Sequence, residues 1–527
     1  MPILERFLAN YYRDSVALMQ LSARLSSQKG IEQAAAVMAT EANIKLLHDT
    51  GLLEHKVEPR PNDLLIVIRG EDEGLKKAMG EAEFLLNTTD RHEDGEVAQK
   101  PPRSIDMAMR EAPASNLALI STPGVYAAGE AMKALRLGLH VMMFSDNVSR
   151  EQEKMLKNYA RDHDLMVMGP DCGTAIINGI PLGFANVVHR GEIGLVAASG
   201  TGLQQVTCLI ERLGKGISQA IGTGSHDLSQ DIGGITMLQG IEALAADPET
   251  KIIVLVSKPP APDVAERVLA AAARCGKPIV ANFLGSETKD VQRNNVHAAR
   301  TLEDAAHMAV ALVNGATPKA CQKSIGKTLV QREASKFSKG QKYIRGLYSG
   351  GTFCYEALVL LRDEIGSVYS STPLQAELVL RDAWSSFQHT VIDLGDDIFT
   401  RGRPHPMIDQ GLRNERIVSE AADPEVAVIL LDVVLGYGSN DDPTAEMVPV
   451  IRTAQAEATN NGRYVSFVAQ ICGTNGDPQE LSLQEARLRE AGVVLAQSNA
   501  QAVYQAAAIA SAAGQKSTQQ SSKGKVR

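Results

Sequence analysis

The chain has 527 residues, too many for one hydrophobic core, so three or four domains are expected. A net charge of −9 excludes a general nucleic-acid binder, which needs a basic face, and a 4% aromatic content leaves little for base stacking. With 44% hydrophobic and 22% charged residues the composition is that of a globular protein.

The N-terminus, MPILERFLANYYRDS, mixes acids and bases early and lacks a signal-peptide core. Residues 1–110 read as a small α/β domain. DSVALMQLSARLSS has helical apolar spacing, AAAVMAT and DLLIVIRG read as strands, and EGLKKAMGEAEFLLNTT as a helix. The polar, proline-bearing stretch 90–104 is the first linker.

From Asn116 strands alternate with helices, which predicts parallel βαβ units over 111–190 and a second open sheet over 191–318. The basic stretch 316–342 reads as an interdomain linker, 343–512 as a third α/β round, and 513–527 as a disordered tail. No stretch approaches eighteen uninterrupted apolar residues, so no membrane helix is expected. Six scattered cysteines without a CxxC pair predict neither a zinc site nor a disulfide framework. A cytoplasmic protein without nucleic-acid or membrane partners is the expectation.

Ligands of open α/β sheets bind at the carboxyl ends of the strands. Four such ends carry small or polar residues: Ser121–Gly124, Ser145-Asp146-Asn147, the run Gly169-Pro170-Asp171-Cys172-Gly173-Thr174, and Ser199-Gly200-Thr201-Gly202. Each is either a tight, capped turn or part of a site for a phosphate or acyl group. Ser199–Gly202 opens a helix, the natural place for an anion. Gly350, Gly351 and Thr352 repeat that architecture in the third sheet.

A glycine-rich loop at 222–234 holds Gly224, His226 and Asp227, an acid–base pair or a solvated turn. No Walker motif is present. Residues 391–417 crowd Asp393, Asp396, Asp397, Arg401, Arg403, His405 and Asp409 around two prolines. Arg403 offers a fork for a carboxylate and His405 a group titrating near neutrality, or the cluster is structural. Asp441 and Asp442 lie at another strand end, and Cys172 and Cys472 follow apolar strands as small buried thiols.

FSDNV, VMGPDCGTAI, ASGTG, VSKPP, GLYSGGT and DLGDD…GRPHPMID occur in an order that resembles the FdrA family across nearly the whole chain. FdrA proteins in turn resemble succinyl-CoA ligases. The resemblance implies several Rossmann-like and flavodoxin-like parallel-sheet domains: a CoA-binding-like domain at 111–190, a ligase-like domain at 191–318 and a carboxyl-terminal ligase domain at 343–512. In those ligases GPDCGTAI corresponds to a segment contacting coenzyme A, and ASGTG to a phosphate-binding turn. They also carry a phosphohistidine loop, whereas VANFLGSETKDVQRNNVHAAR has none and reads around His297 as helical.

The family resemblance also implies one subunit of an oxamate carbamoyltransferase of allantoin catabolism, interconverting oxalurate plus phosphate with oxamate plus carbamoyl phosphate. On that reading no cofactor is needed, Ser199–Gly202 hold phosphate, Gly173 and Thr174 line the carbamoyl end, and Arg403 and His405 are catalytic. Asp146, Asn147, Pro170, Asp171, Cys172, Gly224, His226 and Gly350–Thr352 complete the substrate site. Small-molecule substrates and other subunits of the same pathway are the expected partners. The alternatives are an acyl-CoA synthetase subunit using coenzyme A and a non-catalytic regulatory subunit.

Overall fold

A computed structural model of the protein describes residues 1–9, 11–55, 63–88, 102–401 and 403–523. By its contacts the chain divides into two units, Met1–Asp171 with Asp397–Asp409, and Cys172–Asp396 with Gln410–Arg527. The division after Asp171 precedes the one expected after residue 190.

The first unit opens with β1 (Ile3–Leu8), α1 (Ser15–Ser26), β2 (Ile31–Met38), α2 (Glu41–Asp49), β3 (Leu64–Gly70) and α3 (Asp72–Thr88). β3 lies between β1 and β2, antiparallel to both. Its alternation sorts the core: Leu64, Ile66 and Ile68 pack with α1 and α3, while Leu65 and Val67 pack with α2. Covered on both faces, the strand is apolar throughout. Of the expected linker, residues 90–101 lie outside the described residues, and Ser104 caps α4 (Ile105–Glu111). Then β4 (Leu117–Ile120), α5 (Gly124–Arg136), β5 (His140–Met143), α6 (Arg150–Asp162) and β6 (Val167–Met168) build a parallel sheet in the order β4-β5-β6.

The second unit holds two sheets. The first contains β7 (Thr174–Ile177), β8 (Ile180–Gly183), β9 (Arg190–Ala197), α7 (Gly200–Arg212), β10 (Ile217–Gly222), α8 (Ile235–Ala246), β11 (Ile252–Ser257), α9 (Pro262–Arg274), β12 (Ile279–Phe283), α10 (Thr288–Val291), β13 (Val296–Ala298) and α11 (Leu302–Val313). Its order is β13-β12-β11-β9-β10-β7-β8, parallel from β13 to β10, with the β7–β8 hairpin antiparallel at the edge. His297 sits on β13 opposite Val280, in a strand and not in the expected helix.

The stretch read as a linker contains α12 (Lys327–Lys336), docked through Glu333. That buried carboxylate accepts from Tyr464 Oη at 2.6 Å, Lys336 Nζ at 2.9 Å and Ser466 Oγ at 3.0 Å. The second sheet is built by β14 (Tyr343–Tyr348), α13 (Gly351–Ile365), β15 (Thr390–Asp393), α14 (Asp397–Thr400), α15 (Gly411–Ala422), β16 (Val426–Val434), α16 (Pro443–Asn460), β17 (Ser466–Cys472), α17 (Leu481–Glu490), β18 (Val494–Ala496) and α18 (Asn499–Lys523), α14 grouping with the first unit. It is parallel, in the order β15-β14-β16-β17-β18, and β16 is buried along its whole length. α18 runs through Lys523, into the stretch expected to be disordered from 513; residues 524–527 lie outside the described residues.

Polar bolts join these two sheets. Arg212 donates to the carbonyls of Gly473 and Gln497, and Asp477 accepts from Val187 N at 2.7 Å and Asn186 Nδ2 at 2.8 Å. Among the described residues no helix is long and apolar enough to cross a membrane.

Candidate functional site: two helix starts

Strand β9 leads through Ala198 to Ser199, whose extended backbone and side chain start α7: its Oγ accepts from Gly202 N at 3.0 Å. Strand β14 leads into Ser349-Gly350, from which α13 departs. The two starts meet, with Ser199 Oγ 2.6 Å from Thr352 Oγ1. A Cβ on Gly350 would stand 3.1 Å from Thr201 Cγ2, so a side chain there would press on Thr201 of α7. First-turn amides have no acceptor within their own helix, and each helix start carries partial positive charge. Two such starts side by side present backbone donors and hydroxyls of the kind that can hold an anion.

Two positive ends repel each other, and buried carboxylates offset that. Asp432, fully buried on β16, accepts from Ser349 N at 2.9 Å, Gly350 N at 2.8 Å and Ser349 Oγ at 3.0 Å. Arg413 on α15 pairs with it at 2.8 Å and is itself buried. Asp393, at the end of β15, accepts from Gly395 N at 2.9 Å. One of its oxygens lies 2.5 Å from where a Gly351 Cβ would stand, and Lys258 Nζ, at the end of β11, lies 3.6 Å from that point. Burial pushes the Asp393 carboxyl up to about 7, against the opposing pull of Lys258. Near neutral pH it can therefore give or take a proton beside the start of α13.

Of the expected site residues, Ser199–Gly202 and Gly350–Thr352 come together here. Thr174 joins them: its Oγ1 donates to Phe184 O at 2.7 Å and lies 3.5 Å from where a Gly200 Cβ would stand. Cys172 is buried beside Gly222, its thiol 3.4 Å from that carbonyl, and Gly173 links it to Thr174. Gly224 follows β10 with φ +85°, and His226 is exposed in the same turn. Asp227 next to it is a helix anchor, accepting from Thr236 N at 3.1 Å and Met237 N at 2.9 Å.

Six of the expected substrate and catalytic residues belong to the first unit. Asp146, Asn147 (φ 54°), Pro170 and Asp171 (φ 56°) surround the ends of β5 and β6, with Asp171 N on Ser145 O at 3.0 Å. Arg403 is exposed and His405 partly buried, its Nδ1 accepting from Met407 N at 3.2 Å. Their segment, 397–409, groups with the first unit and not with the paired helix starts. Asp442 is held by Gln484 at 3.2 Å and by Arg487, as an ion pair at the start of α16. Cys472 lies 4.0 Å from Cys208, and burial pushes the latter thiol up. The loop after β12, where the family resemblance would put a phosphohistidine, is Leu284–Glu287 without histidine, and a Gly285 Cβ would touch Tyr355 and Val359 of α13.

Sequence reasoning passed over Lys258, Asp432 and Arg413. Asp432 had a readable signal, being the one charge in the apolar run VAVILLDVV.

Three family models match: AllF, heavy metal-associated domain over residues 1–102, CoA binding domain over 189–285 and CoA-ligase over 347–509. The CoA-binding match falls on the sheet of β9–β12 and not on 111–190. Residues 1–102 contain no cysteine, one of the ligands soft metals favour. The chain is 27% identical to succinate–CoA ligase [ADP-forming] subunit alpha of Aquifex aeolicus over 27% of its own length and 48% of that subunit. It is 26% identical to malate–CoA ligase subunit alpha of Methylorubrum extorquens over 33% of its length and 60% of that subunit. The CoA-binding and CoA-ligase matches overturn the expectation of a protein without a cofactor: the chain is CoA-ligase-like and of a CoA-binding type. Uncharacterized protein YahF of Escherichia coli (strain K12) is 44% identical over 93% of this chain and 95% of its own. An identity of that extent, together with the matched domains, places the chain in the FdrA family.

Proposed function

We propose that the protein is an acid–thiol ligase-type enzyme that exchanges an acyl group between phosphate and coenzyme A, with the phosphate held between the starts of α7 and α13. The observation that carries this reading is the 2.6 Å approach of Ser199 Oγ to Thr352 Oγ1. That contact sets two first turns side by side, which supports a shared anion site at their free amides. In the reaction the thiol sulfur of coenzyme A attacks the acyl carbon of an acyl phosphate. The C–O bond to phosphate breaks, phosphate departs onto the helix starts, and the thiol proton passes to Asp393. Ligase relatives named as alpha subunits, of succinate–CoA and malate–CoA ligases, support a carboxylic acid as substrate and a separate partner subunit for the nucleotide.

One observation favours a second reading. The loop after β12 offers no histidine to carry a phosphoryl group. Direct transfer to or from phosphate needs none, and carbamoyl transfer between oxalurate and phosphate, yielding oxamate and carbamoyl phosphate, is of that kind. Both are tested by one experiment on the protein, alone and with co-purifying subunits. Dicarboxylic acyl-CoAs with phosphate, and oxalurate with phosphate, are assayed for mixed anhydride trapped as hydroxamate or carbamoyl product. Anhydride from an acyl-CoA with release of free thiol supports the ligase reading. Carbamoyl phosphate without coenzyme A supports the second, and neither product overturns both.

A further inference from the structure

Outside the paired helix starts, one cluster brings together three different metal-binding side chains. Glu303 and His307, four residues apart on α11, share a helix face. Cys321 comes from the segment between α11 and α12, and ligand atoms of all three lie within 4.8 Å of one another. Among the described residues this is the one group of its kind. It falls between the stretches matched by the CoA-binding and CoA-ligase families.

The surroundings hold these groups in place. Gln501 of α18 donates to Glu303 Oε2 at 2.7 Å and accepts from Ser324 N at 2.8 Å. Asp304 accepts from Cys321 N at 2.6 Å and closes the capping box with Thr301. Hydrogen bonds that orient a ligand and its backbone are what metal sites use beyond their first contacts. A carboxylate, an imidazole and a thiolate suit a borderline divalent cation, and their two negative charges balance it. Tetrahedral zinc with bonds of about 2.0–2.3 Å needs ligand atoms about 3.3–3.8 Å apart, within reach of rotations of the partly exposed His307 and Cys321.

We propose that Glu303, His307 and Cys321 bind a zinc-class divalent cation, with water in the remaining position, and so tie the segment between the two sheets to α11. Binding releases the Cys321 proton to solvent as the metal–sulfur bond forms.

The test is titration of the full-length, metal-stripped protein with cobalt(II), followed by zinc competition. One equivalent of cobalt is expected, with a thiolate-to-cobalt absorption band that zinc abolishes. Cys321→Ser should remove the band, while Cys275→Ser, at a partly exposed thiol elsewhere, should keep it. His307→Gln should weaken binding at least tenfold, and its partial exposure makes the fold tolerant of that change. Circular dichroism verifies the fold of each variant. No cobalt bound, a band that survives Cys321→Ser, or a stoichiometry and affinity unmoved by His307→Gln would each overturn the proposal.

Discussion

Ser199 and Thr352 stand 153 residues apart in the chain and bring their hydroxyl oxygens to 2.6 Å. Ser199 does two things at once, since the same Oγ caps α7 through Gly202 N. Thr352 is buried, and its isosteric replacement by valine keeps packing while removing the hydroxyl. Ser199→Ala should therefore cost about 1 kcal/mol of stability through the lost cap. Thr352→Val should cost less, yet both should raise the KM for phosphate in acyl-phosphate formation. Chemical denaturation and initial rates separate the two effects. Unchanged phosphate dependence in both variants would remove the hydroxyl pair from the site.

Adjacent glycines in the same turn should behave differently. A Cβ on Gly200 meets only Thr174 Oγ1, at 3.5 Å, which is ordinary contact. A Cβ on Gly202 would fall 2.4 Å from Ser199 Oγ and 2.9 Å from Val256 Cγ1. Gly200→Val is thus expected to fold and to block the amides of α7, cutting activity at least a hundredfold, about 2.7 kcal/mol in the barrier. Gly202→Ala should lose stability first, because it displaces the cap. A Gly200→Val protein with wild-type rates would argue that no anion sits before α7.

Local signals made both helix starts readable: strand, small residues and helix follow one another at Ser199–Gly202 and at Ser349–Thr352. That the two starts meet was not readable, because pairing across 153 residues is a property of how two sheets pack. Lys258 and Asp393 reach Gly351 from the ends of different strands, a convergence without periodicity. The charge crowd at 391–417 drew attention to Arg403 and His405, but the fold keeps Asp393 beside α13 and groups 397–409 with the first unit. Polar composition also suggested a linker at 316–342, where a buried Glu333 instead docks α12.

The buried pair of Arg413 and Asp432 supports the start of α13 from below. Arg413 Nη1 also donates to Asp432 O at 2.6 Å, and its Nε to Gln410 Oε1 at 3.1 Å. Arg413→Leu leaves a buried carboxylate without its cation and should destabilise the protein by about 3–5 kcal/mol. The double variant Arg413→Leu with Asp432→Asn should recover part of that loss, since the orphaned charge is gone. Urea denaturation of the set gives both numbers. A single variant within about 1 kcal/mol of wild type would mean the pair is not doing this work.

Asp393 gives the protein a pH dependence whose sign can be worked out. Its folded carboxyl is raised from 3.8 to about 7, by burial first, while Lys258 opposes the rise. Between those values the unfolded chain has lost a proton that the folded protein keeps. Stability should therefore fall as pH climbs from about 4 to about 7, then level off. Buried Glu356, also raised to about 7 chiefly by burial, adds a slope of the same sign. Asp393→Asn removes its own contribution to that slope, so its denaturation midpoint should drop less steeply over that window. As the proton acceptor for the thiol, ionised Asp393 should also make the rate rise through about pH 7, a limb that Asp393→Asn loses along with most of the rate. If the variant keeps both the wild-type stability slope and the rate limb, Asp393 neither holds the raised carboxyl nor takes the proton, and the group responsible lies elsewhere.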